Sequence, residues 1–130
     1  MWRSRMTSTI RVTSAGPAPT GTTTNLVSGL SKAWVNFDGK TSGGVTNRDS
    51  FNVSGLVDNG TGDYNATLTN NMGNANYSQV ASSHNSGVSW SDSPYTGGKT
   101  ASALAVQTGN DGGVAADTDI IDTIACGDLA

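Results

Sequence analysis

Three features of this 130-residue sequence predict an all-β domain, an antiparallel β-sandwich or open barrel of about eight short strands behind an extended N-terminal segment. Charged residues make up only 13% of the chain, and its 17 glycines sit among many Ser, Thr and Asn, the make-up of a chain that turns often. Apolar residues recur at a period of two in several short runs, so that one face of each run is apolar and the other polar. No window is rich enough in Leu, Glu, Lys or Ala to favour helix, whereas Thr, Val and the aromatics suit a pleated, half-buried surface.

Taken in order, Thr9-Ile10-Arg11-Val12 alternates like a strand, and Met6 makes as natural a beginning for the chain as Met1. From Thr13 to Thr24 the chain is Ser, Thr, Gly and Ala with Pro17 and Pro19, which favours extended backbone and buries little. With Ile10 and Val12 as its apolar pair, this stretch cannot offset the ordering of its own backbone, about 1–2 kcal/mol per residue. Residues 1–30 are therefore expected to be an attachment or oligomerisation segment in which Ile10 and Val12 contact neighbouring chains, and residues 31–130 a β-sandwich knob.

The core is expected from Lys32 to Tyr77, which holds one of the three tryptophans, both phenylalanines and two of the three tyrosines. Ala33, Val35 and Phe37 share one face of the first strand, and Trp34, Asn36 and Asp38 the other. Ser50 to Ser54 reads as a single strand with Phe51 and Val53 inward. Asp58 to Asp63 is a turn cluster followed by Tyr64 to Leu68, the best hairpin in the chain. Asn76 to Ala81, Ala103 to Gln107 and Asp119 to Ala125 complete the strands, with a short one around Val88 to Ser91 inside a loop from His84 to Gly98. The expected core is Val35, Phe37, Phe51, Val53, Leu56, Tyr64, Leu68, Tyr77, Leu104, Val106, Ile121 and Ile124.

A net charge of -3 provides no basic stripe, which argues against nucleic acid or an anionic membrane as the main partner. No apolar run approaches the roughly 18 residues of a membrane span, so membrane insertion is not expected. Met1 to Arg5 is not followed by the apolar segment of a signal peptide. Cys126 is the sole cysteine, which excludes an intrachain disulfide and leaves stability to packing or oligomerisation.

Chemistry is harder to place. His84 is the sole histidine and lies among Ser, Asn and Gly, with no motif for a catalytic Ser or Cys beside it. The turn from Asp58 to Asp63 is oxygen-rich but lacks the frame and terminal glutamate of an EF-hand, so it reads as a hairpin turn. No catalytic residue, metal or cofactor is expected, and the protein is not read as an enzyme. A polysaccharide hydrolase, the competing class, would have to draw its carboxylate pair from aspartates alone, because the chain contains no Glu. Trp90 and Tyr95 stand in polar surroundings and are the candidate receptor-binding residues. Arg48 and Asp49, adjacent opposite charges in a charge-poor chain, are candidate oligomer contacts; as a surface pair they would contribute less than about 1 kcal/mol.

The phrases Ser31-Lys32-Ala33-Trp34-Val35-Asn36-Phe37-Asp38-Gly39, Asn47-Arg48-Asp49-Ser50-Phe51-Asn52-Val53-Ser54 and Asp58-Asn59-Gly60-Thr61-Gly62-Asp63-Tyr64, with Met72 and Ala75-Asn76-Tyr77 after them, together resemble a family of small bacteriophage fibre and appendage proteins from aquatic phages. The opening strand Thr9 to Val12 and the closing Gly127-Asp128-Leu129-Ala130 extend the resemblance to both ends. It implies a structural protein of the virion surface, trimeric as fibres generally are, contacting other virion proteins and involved in attachment to a host glycan or protein. The chain has no shaft repeats, so a capsid or tail decoration protein without a ligand is the alternative expectation.

Overall fold

The computed structural model describes residues 29–84 and 99–130, and the backbone of 89–92. The described residues form eight strands: β1 (Ser31–Asp38), β2 (Thr46–Phe51), β3 (Val53–Gly60), β4 (Asp63–Leu68), β5 (Ser78–His84), β6 (Ser89–Asp92), β7 (Ala103–Asn110) and β8 (Ile120–Cys126). They make two four-stranded sheets of order β2-β1-β8-β5 and β3-β4-β7-β6, in which all pairings are antiparallel. The architecture is a β-sandwich.

Alternating side chains build the interior. Ala33, Val35 and Phe37 of β1 and Ile121 and Ala125 of β8 point inward from one sheet, and Tyr64, Ala66 and Leu68 of β4 and Leu104 and Val106 of β7 from the other. Phe37 and Tyr64 meet edge to face across the two sheets, ring centroids 5.4 Å apart and planes at 72°. Tyr77 closes one end, donating its hydroxyl to the Ala103 carbonyl at 2.8 Å. The Lys99 ammonium donates to the Tyr77 carbonyl at 2.6 Å and lies 4.6 Å from its ring centroid. Met72, fully buried, comes from outside the strands, held by its N–H donating to the Ala101 carbonyl at 2.7 Å.

Two expected core residues are on the surface. Phe51 is 54% exposed because Ser50 to Ser54 is not one strand: Asn52, with a left-handed φ of 59°, ends β2 and starts β3 in the other sheet. Passing through that corner breaks the alternation, so Val53 packs against the core while Phe51 faces out. Asn tolerates the left-handed region better than most residues. Its side chain also fixes the corner: Nδ2 donates to the Lys32 and Asn70 carbonyls, 3.0 Å each, and Oδ1 accepts from Asn70 N–H at 2.8 Å. Ile124 is 44% exposed because it lies an odd number of positions from Ile121, on the opposite face of β8. Val53 and Leu56 share the inner side despite the same spacing because Ser54 is a bulge between Val53↔Leu68 and Gly55↔Thr67. The hairpin at Asp58 to Asp63 joins β3 and β4 as expected, with Gly60 and Gly62 at positive φ.

Candidate functional surface

The sequence-predicted site residues fall in different places. Ile10, Val12 and Tyr95 lie outside the described residues. Trp90 is on β6, paired with Gly109 of β7. Arg48 and Asp49 are on β2, where every residue but Ser50 is exposed.

Arg48 does not pair with Asp49. The register of β1 and β2 runs Asn36↔Asp49 and then Phe37↔Asn47, so Arg48 is an extra residue on β2, a bulge. The bulge turns its guanidinium onto Asp38 of β1, with Nη2 and Oδ2 2.9 Å apart. Sequence neighbours on a strand point to opposite faces, which is why adjacency gave the wrong partner. The pair ties the end of β1 to edge strand β2.

A polar cluster lies where the β3–β4 turn meets the segment before β8. The Tyr64 hydroxyl donates to Asp117 Oδ1 at 2.7 Å, with the Gly39 carbonyl 3.3 Å away, and the Gly62 N–H donates to the same Oδ1 at 2.7 Å. Burial first, then the hydrogen bond to Asp117 and its charge, push the Tyr64 phenol well above its ordinary value. A Cβ at Gly62 would collide with the Thr108 carbonyl, and one at Gly39 would lie 2.5 Å from the Tyr64 hydroxyl. The cluster is a packed joint between the β3–β4 turn and the segment before β8.

Asp38, Asp117 and Asp122 are thus each bound to a partner, Asp122 by the Asn36 amide at 2.6 Å. Among the described residues no group of three His, Cys, Asp or Glu could hold a metal ion, and no helix is long and apolar enough to cross a membrane. His84 is exposed at the end of β5 and Cys126 half-buried at the end of β8.

The feature that sequence reasoning missed is the outer face of the β2-β1-β8-β5 sheet. Phe51, Trp34, Ile124 and Val80 stand in register across its four strands and point away from the core. Three of them are exposed and Trp34 is half-buried. A shallow groove of about 210 Å³ lies in this face between Trp34, Val80, Asp122 and Ile124. A second hollow of about 480 Å³ opens beside Phe51, lined also by Leu30, Asn70 and Leu129. The outer face of the other sheet carries Asp63, Asn65 and Thr67 at the corresponding positions of β4. The alternation of Trp34 against Ala33 and Val35 is visible in the sequence, but the strand order that lines Trp34 up with Phe51, Ile124 and Val80 is not.

Fold and surface together define an antiparallel two-sheet sandwich with an apolar row across the outer face of the β2-β1-β8-β5 sheet. No protein-family model, no curated protein and no solved structure matches the chain.

Proposed function

We propose that this protein is a structural component of a bacteriophage particle, a short fibre or tail appendage module exposed on the virion, homo-oligomeric and acting through its surfaces rather than through catalysis. The observation that carries the reading is the phrase from Ser31 to Tyr77, whose likeness to phage appendage proteins covers both core and surface. Its residues build β1 to β4 and the corner at Asn52, and two of its aromatics, Trp34 and Phe51, are spent on the outer face rather than the core. Large apolar side chains placed outside a small domain serve contacts with other molecules. The three copies implied by fibre proteins, and a role for Trp90 and Tyr95 in gripping a host glycan or protein, belong to the same proposal.

The apolar outer face also favours a second reading, a capsid or tail decoration protein that stabilises the particle and binds no host ligand. Adsorption separates the two. As an appendage with a receptor site, the purified protein competes with phage for host cells, and the Trp90→Ala variant competes less without melting earlier. As a decoration protein it does not compete, and phage lacking it adsorb normally but lose infectivity faster on heating. If the chain is missing from purified particles by peptide mass spectrometry, both readings fail.

A further inference from the structure

From the register of the β2-β1-β8-β5 sheet we infer that its outer face is a homotypic interface, buried against the same face of a second copy related by a two-fold axis running along the strands. The argument rests on what such an axis brings together. It keeps each row of side chains at its own height and reverses the order of the strands, so β2 of one copy faces β5 of the other and β1 faces β8.

Applied to the apolar row, the operation places Phe51 opposite Val80 and Trp34 opposite Ile124. A large aromatic meets a smaller aliphatic at all four positions, the alternation that lets two flat faces interdigitate. Phe51, Ile124 and Val80, at 54%, 44% and 65% exposure, have the surface to bury. The groove of about 210 Å³ beside Trp34 is where the facing aromatic would seat, since a cavity of about 150 Å³ already accepts a benzene ring.

The next row is independent of the first and gives the same answer. Asp49, Asn36, Asp122 and Ser82 lie in register across the same four strands. Reversed, Asp122 faces the partner's Asn36 and Asp49 faces the partner's Ser82. Both carboxylates of this row meet a side chain that can donate a hydrogen bond, and neither meets another carboxylate. An axis along the row instead would set Asp122 against Asp122, which is repulsive.

Size agrees. The face is four strands wide and its strands are six to eight residues long. At strand spacings of about 4.8 Å and rises of about 3.3 Å this is roughly 19 by 23 Å. Two such faces remove on the order of 1,000 Å² from water, the size at which specific interfaces begin, whereas one extended peptide would cover a fraction of it. The contact rests on the homo-oligomeric part of the function proposed above and not on the virion location. It makes the number of copies even, so three-fold assembly coexists with it only as a pair of trimers.

Sedimentation of the full chain tests it. The expected mass is that of an even number of copies. Val80→Asp and Ile124→Asp, with unchanged circular dichroism, halve that mass and weaken association by about tenfold or more, because each buries an unpaired charge. Val57→Asp, on the exposed face of the other sheet, leaves it unchanged. In a Cys126→Ser background, Phe51→Cys combined with Val80→Cys gives a disulfide between copies, and Val80→Cys alone gives none. A monomer, a trimer, a mass insensitive to both aspartates, or self-cross-linking of Val80→Cys overturns the interface. A trimer found in virions would remove this contact and leave the proposed function standing; an even-numbered assembly absent from virions would do the reverse.

Discussion

At the residue scale, stability depends on a few polar side chains that the fold cannot replace. Asn52 holds the corner between the sheets with both its left-handed backbone and its amide. Asn52→Ala is expected to cost about 2–4 kcal/mol, from lost hydrogen bonds and a strained backbone, and Asn52→Gly less, because glycine keeps the φ. Equal losses in urea unfolding would show that the backbone conformation is not what the asparagine supplies. Tyr64→Phe keeps the ring against Phe37 but leaves Asp117 with one donor fewer, a loss of about 1–2 kcal/mol. The same hydroxyl sets an alkaline limit. Its folded-state pKa is raised above the unfolded value, so the folded chain retains a proton that the unfolded chain releases. That contribution is whole below about pH 10 and is lost as the pH rises further. Thermal melts of the native protein should fall more steeply above that pH than melts of Tyr64→Phe, and parallel curves would remove Tyr64 as the cause.

At the element scale, the difference between core and surface aromatics is the sharpest check on the register. Phe37→Ala is expected to cost about 3–5 kcal/mol, as a buried phenylalanine does, and Phe51→Ala under about 1 kcal/mol in the dissociated protomer. A large loss at Phe51 in dilute protein would put it back in the core. These strands also show how far the sequence can be read. β4 was legible because alternation there is strict, and β1 because Ala33, Val35 and Phe37 keep a period of two despite a bulge at its start. The β2–β3 junction was not, because a single residue at positive φ flips the inward face and an asparagine does not announce that choice. Ile121 and Ile124 look alike in composition, and only the parity of the strand separates a fully buried side chain from a surface one. Met72 joins the core from a turn-rich stretch, where no periodicity marks it. The Arg48 to Asp38 pair needed the bulge, and the bulge needed the partner strand.

At the scale of the whole molecule, the described residues form a small sandwich of two four-stranded sheets, one of which carries an apolar row across its outer face. The apolar row across β2, β1, β8 and β5 was hidden from the sequence because its four members come from strands far apart in the chain, and only their pairing makes them neighbours. The all-β class, by contrast, follows from local pattern and composition, which is why it could be read directly. The central claim is that the protein is a surface component of a phage particle, and labelling of intact particles addresses it most directly. Gold-conjugated antibody raised against the purified chain should decorate intact virions in electron micrographs at a fixed location, at the tail for an appendage or over the head for a decoration protein. Intact virions left unlabelled by antibody that binds the purified protein would contradict it.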